Sequence, residues 1–177
     1  LFLFFLPRSY CMLTIVTTPN KILETRAREL TLAEIKSPEI HTLITEMIPK
    51  MYESEGIGLA APQVNHSVRV CIIGKEAIKL DRKTTIPYED LVLINPTWIK
   101  TSRKTNNDQE GCLSIPGVYG TVKRYSAIHV EALDRHGNTL SFEARNFFAR
   151  VIQHEVDHLD GVLFTTKAVD LREIKNK

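Results

Sequence analysis

The chain has few cysteines, no large excess of charge and no apolar run long enough to cross a bilayer. Three cysteines in 177 residues form an odd set without paired spacing. That excludes a disulfide-stapled scaffold and fits a reducing compartment. A formal net charge of +2 is too small to indicate a nucleic-acid or anionic-membrane partner. The apolar stretch Leu1 to Pro7 is far shorter than the roughly 20 residues a spanning helix needs. It also lacks the basic start and full apolar core of a signal peptide. Residues 1–11 are therefore expected to be a non-native or leader-like apolar arm, with Met12 as the natural start. Repeats and low-complexity tracts are absent as well, which excludes solenoids and linkers. What remains is ordinary: 43% hydrophobic and 25% charged residues, enough chain for one domain with its own core.

Elements can be placed along it. Ser37-Pro38 suits a helix start, with Ser as cap and Pro at the first helical position. Ile40, Leu43, Ile44, Met47, Ile48 and Met51 follow at helical spacing, and Pro49 should weaken the last turn. Strands are expected at Val68–Ile73, where Cys71 reads as a buried residue, and at Leu91–Asn95, ended by Pro96. A hairpin joins Tyr125–Leu133 to Leu140–Ala144 through His136-Gly137-Asn138. Phe147–Leu159 reads as a late helix. Strands that precede a helix, rather than alternate with helices, indicate α+β.

The chemistry gathers in three segments. His154-Glu155-Val156-Asp157-His158 sets two imidazoles one helical turn apart, on one face, able to share an ion. Glu155 lies beside them, where a general base for water activation belongs. No His follows His158, and Glu173 is the one Glu beyond it, so a third ligand is expected upstream. Cys112, in Glu110-Gly111-Cys112-Leu113-Ser114, is the best candidate. One thiolate and two imidazoles leave a fourth position open, which is the arrangement of a catalytic site. Gly56-Ile57-Gly58-Leu59-Ala60-Ala61-Pro62-Gln63 is a small-residue loop that permits close approach of a ligand. Its Gln63 amide could face an oxyanion. His41, His66, His129 and His136 have no partner at ligand spacing and read as structural or exposed.

Taken in order, GIGLAAPQ, EGCLS and HEVDH resemble the GxGLAAxQ, EGCLS and HExDH motifs of the peptide deformylases, over about Met12 to Ala168. The resemblance implies a single α+β domain, 12–168, with mostly antiparallel sheets around a central metal-bearing helix. A charged tail, 169–177, follows. It implies hydrolysis of the N-formyl group of the initiator methionine on nascent polypeptides. Cys112, His154 and His158 would hold one divalent ion, ferrous iron in the cell or zinc in its place. Glu155 would move the proton, and Gln63 and the Leu113 N–H would face the oxyanion. Ile57, Gly58 and Ile152 would contact the substrate. Glu110 would brace its motif through Arg124 or Arg145. The implied setting is a cytoplasmic, bacterial-type monomer working near the ribosome, with no nucleic-acid motif and no membrane anchor. Two positions depart from the family pattern. Asn146 stands where Gly is common, and Asn tolerates the left-handed backbone. Tyr119 stands where some members carry a basic residue at the substrate mouth. Two other readings compete, a zinc endopeptidase and a non-catalytic homologue. The first lacks a ligand after His158, and the second would need a lost ligand or base.

Overall fold

The structure, a computed structural model, describes residues 13–174. The apolar arm 1–11 lies outside the described residues. In chain order the elements are α1 (Leu32–Ile35), α2 (Pro38–Glu53), β1 (Gly58–Ala60), β2 (Val70–Ile73), α3 (Lys75–Lys79), β3 (Leu91–Lys100), β4 (Thr105–Cys112), β5 (Ile115–Tyr125), β6 (Ala127–Leu133), β7 (Thr139–Arg145), α4 (Asn146–Leu159) and β8 (Val169–Glu173). All named strand pairs are antiparallel. They form a five-stranded sheet ordered β1-β2-β3-β6-β7 and a three-stranded sheet ordered β4-β5-β8. The α+β reading holds, in one domain.

Strand β2 and the first part of β3 are buried on both faces, and the pleat sends their alternate side chains to opposite sides. Cys71, Ile73 and Leu93 join Ile128, Val130 and Phe142 in a core with Phe148, Ile152, Val156 and Leu159 of α4. Val70, Ile72, Val92 and Ile94 join a second core with Leu43, Ile44, Met47 and Met51 of α2. This is why β2 reads as an unbroken apolar run. Helix α2 starts as its sequence predicts, with the Ser37 hydroxyl accepting from the Ile40 N–H at 3.3 Å. It continues past Pro49 to Glu53.

Three expectations are corrected. The strand expected from Val68 is β2 and begins at Val70, because Val68 makes only an isolated bridge to Arg28. Pro96 does not end β3. The register shifts between Ile94 and Thr97, and Asn95 there has φ 51°. Such a bulge accommodates a residue with no N–H to give the ladder. The segment after residue 168 begins not as a free tail but with the edge strand β8. It pairs with β5 while all five of its residues stay exposed.

Helix α4 is anchored at both ends. Asn146 opens it with φ 52°, the left-handed conformation expected of this position. At the other end the buried Arg69 guanidinium donates to the Leu159 carbonyl at 3.1 Å and to Asp160 at 2.7 Å. The Ala27 N–H reaches the same carbonyl at 2.8 Å. Cationic and N–H donors at the last carbonyls are favourable helix caps. Asn146→Ala is expected to lower the unfolding free energy by about 1 kcal/mol, since a Cβ without a local hydrogen bond is strained there. Asn146→Gly should not lower it, and urea midpoints for the two variants check the difference.

Candidate active site

Cys112 is the last residue of β4, and Leu113-Ser114 form the tight turn into β5, with Cys112 opposite Ile115. His154 and His158 are one turn apart on α4, with ring centroids 4.9 Å apart. The three residues bring one donor atom each within 4.8 Å of one another. The Cys112 sulfur lies 3.2 Å from His158 Nε2 and accepts the Ser114 N–H at 3.4 Å. His154 Nδ1 meets Glu110 Oε2 at 2.9 Å, a contact that leaves its other nitrogen facing the cluster.

Glu110 is the hub of a buried ion network. Arg124 donates to both of its oxygens, at 3.0 and 2.8 Å, and Arg150 donates to one of them. Arg124 also reaches Asp157, which accepts from Lys167 at 2.7 and 2.8 Å. Burial alone would raise the Glu110 pKa, but its contacts with Arg124 and His154 hold it well below the carboxylate range. Arg145 pairs instead with Glu143, which settles the choice of brace in favour of Arg124. Burial likewise works against a charged His154, yet the Cys112 and Glu110 contacts push its pKa up to about 10. His158, buried and beside His154, is held well below the usual imidazole range.

Glu155 is buried, and burial pushes its pKa up to about 7. One of its carboxylate oxygens has no hydrogen-bond partner among the described residues. Gly58 makes the space for it, since a Cβ at Gly58 would lie 2.3 Å from the other oxygen. Gln63 is 2% exposed. Its Oε1 accepts the Ala60 N–H at 2.9 Å. This turns Nε2 toward Ser114 Oγ at 3.2 Å and Cys112 Sγ at 3.5 Å.

These groups open on a cavity of about 480 Å³, whose apolar wall includes Ile57, Leu113, Phe147, Val151 and Tyr119. Gly58, Gln63, Cys112, His154 and Glu155 also line it. Ile152 does not, which corrects the expectation for that residue. It is fully buried among Phe148, Val156 and the sheet, about 100° around the helix from Val151. Phe147 and Val151 lie seven and three residues before His154, so the helical stripe carrying the imidazoles could have identified them. The contributions of Arg150, Asp157 and Lys167 to the network carried no comparable signal in the sequence.

The donor set fits a divalent ion. Two imidazoles and a thiol converge, with their donor atoms within 4.8 Å of one another, a set that suits zinc or ferrous iron. An unpartnered carboxylate oxygen stands alongside. The family described as polypeptide deformylase matches residues 12–173. The peptide deformylase of Pelotomaculum thermopropionicum is 39% identical over 163 residues, covering 92% of this chain and 96% of the relative. Peptide deformylase 1 of Bacillus subtilis is 40% identical over 155 residues, covering 86% and 88%. A ligand-bound crystal structure of the class I type b peptide deformylase of Acinetobacter baumannii superimposes with a TM-score of 0.78 at 33% identity, covering 88% of this chain and 98% of that one. Gly58→Ala is expected to fold but to displace the Glu155 carboxylate. Misplacement of about 1 Å can cost on the order of 10²-fold, and a loss of that size in formate release from a formyl-Met peptide is the outcome to measure.

Proposed function

The chain belongs to the polypeptide deformylase family, and on that premise we propose how its residues divide the work. The protein is a hydrolase that removes the N-formyl group from nascent polypeptides. Cys112, His154 and His158 would hold one divalent ion. When bound, such an ion supplies Lewis-acid charge that polarises a carbonyl and readies water for attack. The identity we assign to it in the cell is ferrous iron, with zinc as a functional substitute, because thiolate and imidazole donors suit both.

The carboxylate of Glu155 accepts a proton from the attacking water and passes it to the leaving amine as the formyl C–N bond breaks. The free oxygen of this buried carboxylate beside the donor cluster is the observation that carries the reading. The Gln63 Nε2–H and the Leu113 backbone N–H donate to the oxygen that gains charge. The Ala60 N–H holds the Gln63 amide with its Nε2 turned toward Cys112, and the Nε2 contact with Cys112 or Ser114 gives way as that charge develops. Ile57, Phe147 and Val151 supply the apolar wall for the methionine side chain, and the bare backbone of Gly58 leaves room for the Glu155 carboxylate beside it.

No helix of the described residues is long and apolar enough to cross a membrane. We place the enzyme in the cytoplasm, as a monomer acting on chains emerging from the ribosome, with residues 12–173 as its catalytic domain.

Formate release from formyl-Met peptides, measured on anaerobically purified protein of known metal content, tests this reading. Glu155→Ala should keep the metal and lose about 10²–10⁴-fold in turnover. Activity within a few-fold of the parent would move the base to another residue. The acid limb of kcat/KM should fall below pH 7, since a cation at the three donors favours the ionised carboxylate over its metal-free value of about 7. Gln63→Leu keeps the size but removes the donor, so kcat should drop roughly 10²-fold with metal content unchanged. A rise in KM alone would instead assign Gln63 to ground-state binding.

A further inference from the structure

We propose that Lys167 is a positioning residue for His154. It would act through the buried chain Asp157–Arg124–Glu110 and through the loop that it ties back onto α4. The inference rests on His154 being a metal ligand, as proposed above.

Lys167 lies ten residues beyond Asp157, past the turn that ends α4. Its ammonium donates to both carboxylate oxygens of Asp157, at 2.7 and 2.8 Å. Asp157 is 7% exposed and points inward from α4, between the two imidazoles in sequence. There it shares Arg124 with Glu110, and Glu110 meets the Nδ1 of His154. Lys167, with 41% of its side chain exposed, is the most exposed member of this chain.

The charges on the path are interdependent. With Lys167 present, Asp157 is neutralised from two sides, and Arg124 can keep both of its bonds to Glu110. Without it, Asp157 has Arg124 as its remaining cation, and the guanidinium is drawn away from Glu110. The Glu110 carboxylate then leans harder on the His154 N–H, and the ring turns or changes its donor strength. Carboxylates behind an imidazole ligand set its orientation and basicity in this way. A packing route runs in parallel. The Val162 N–H donates to the Asp157 carbonyl at 2.8 Å, and that of Lys167 to the Phe164 carbonyl at 3.0 Å. Phe164 in turn lies against the His154 ring, with centroids 6.2 Å apart and planes 28° apart. The Lys167–Asp157 contact therefore closes the loop that presses Phe164 onto the imidazole.

The test uses the cobalt(II)-loaded protein. Affinity is read by chelator competition, and ligand geometry by the thiolate-to-metal and d–d absorption bands. Lys167→Met is expected to weaken cobalt binding about 10-fold and to shift the d–d bands. Lys167→Arg, which can bond the same carboxylate, is expected to restore both. Parent-like affinity and spectrum in Lys167→Met would overturn the proposal. So would an equal loss in Lys167→Arg, which would indicate a purely steric role. Cys112→Ala in the same titration tests the ligand set separately. Full-affinity binding there removes the proposed site and this inference with it. Weakened binding there, with an unperturbed Lys167→Met, removes the inference alone.

Discussion

A carboxylate with 7% exposure, Glu110, accepts hydrogen bonds from Arg124, Arg150 and His154. Helix α4 and the β4–β5 hairpin are joined through it. The cysteine sits on the hairpin and both histidines on the helix, so the donor cluster exists only while the two surfaces are locked together. A charge taken out of water is costly unless its partners are well placed. Here two guanidiniums and an imidazole supply four donors to two oxygens. Removing one side of such a junction leaves a buried ion uncompensated, which typically costs about 3–5 kcal/mol. The same contact fixes which nitrogen of His154 faces the cluster. Stability and site geometry are thus settled by one interaction.

The fold and the site were legible in the sequence to different depths. Helices α2 and α4 were readable because their apolar positions keep helical spacing, although α4 is buried almost all round. Strands β2 and β3 were readable as apolar runs, and β6–β7 by the turn between them. The β4–β5 hairpin was not, and the reason is physical. Its buried positions include Glu110, Gly120 and Arg124 beside Val122. Polar groups thus occupy the inward side and erase the alternation that marks a strand. The buried network that hides the hairpin from pattern reading is the network that holds the site.

Among the site residues, His154, Glu155 and His158 are set by spacing within one element and lie together on α4. Cys112 followed from the lack of a ligand after His158 and Gln63 from the small-residue loop that it ends, and the two side chains lie 3.5 Å apart. Ile152 was misplaced, because an apolar residue on a helix that carries metal ligands can face either the cavity or the sheet. Helical phase decides between them, and the stripe 147–151–154 lines the cavity. Lys167 could not be read at all. It meets Asp157 only because the chain turns at Gly161, whose φ of 71° suits glycine.

The burial of α4 also has a kinetic side. The helix contacts β1, β2, β5, β6 and β7, so none of its length can loosen while the sheets stay closed. Its amide protons should therefore exchange with solvent only through opening of nearly the whole domain, at the slow limit set by global stability. Many enzymes keep their reactive groups on segments that open readily. Here both histidines and Glu155 sit on the backbone expected to exchange most slowly. Partial unfolding of the periphery, at β8 or at the short helices α1 and α3, would leave the donor cluster assembled.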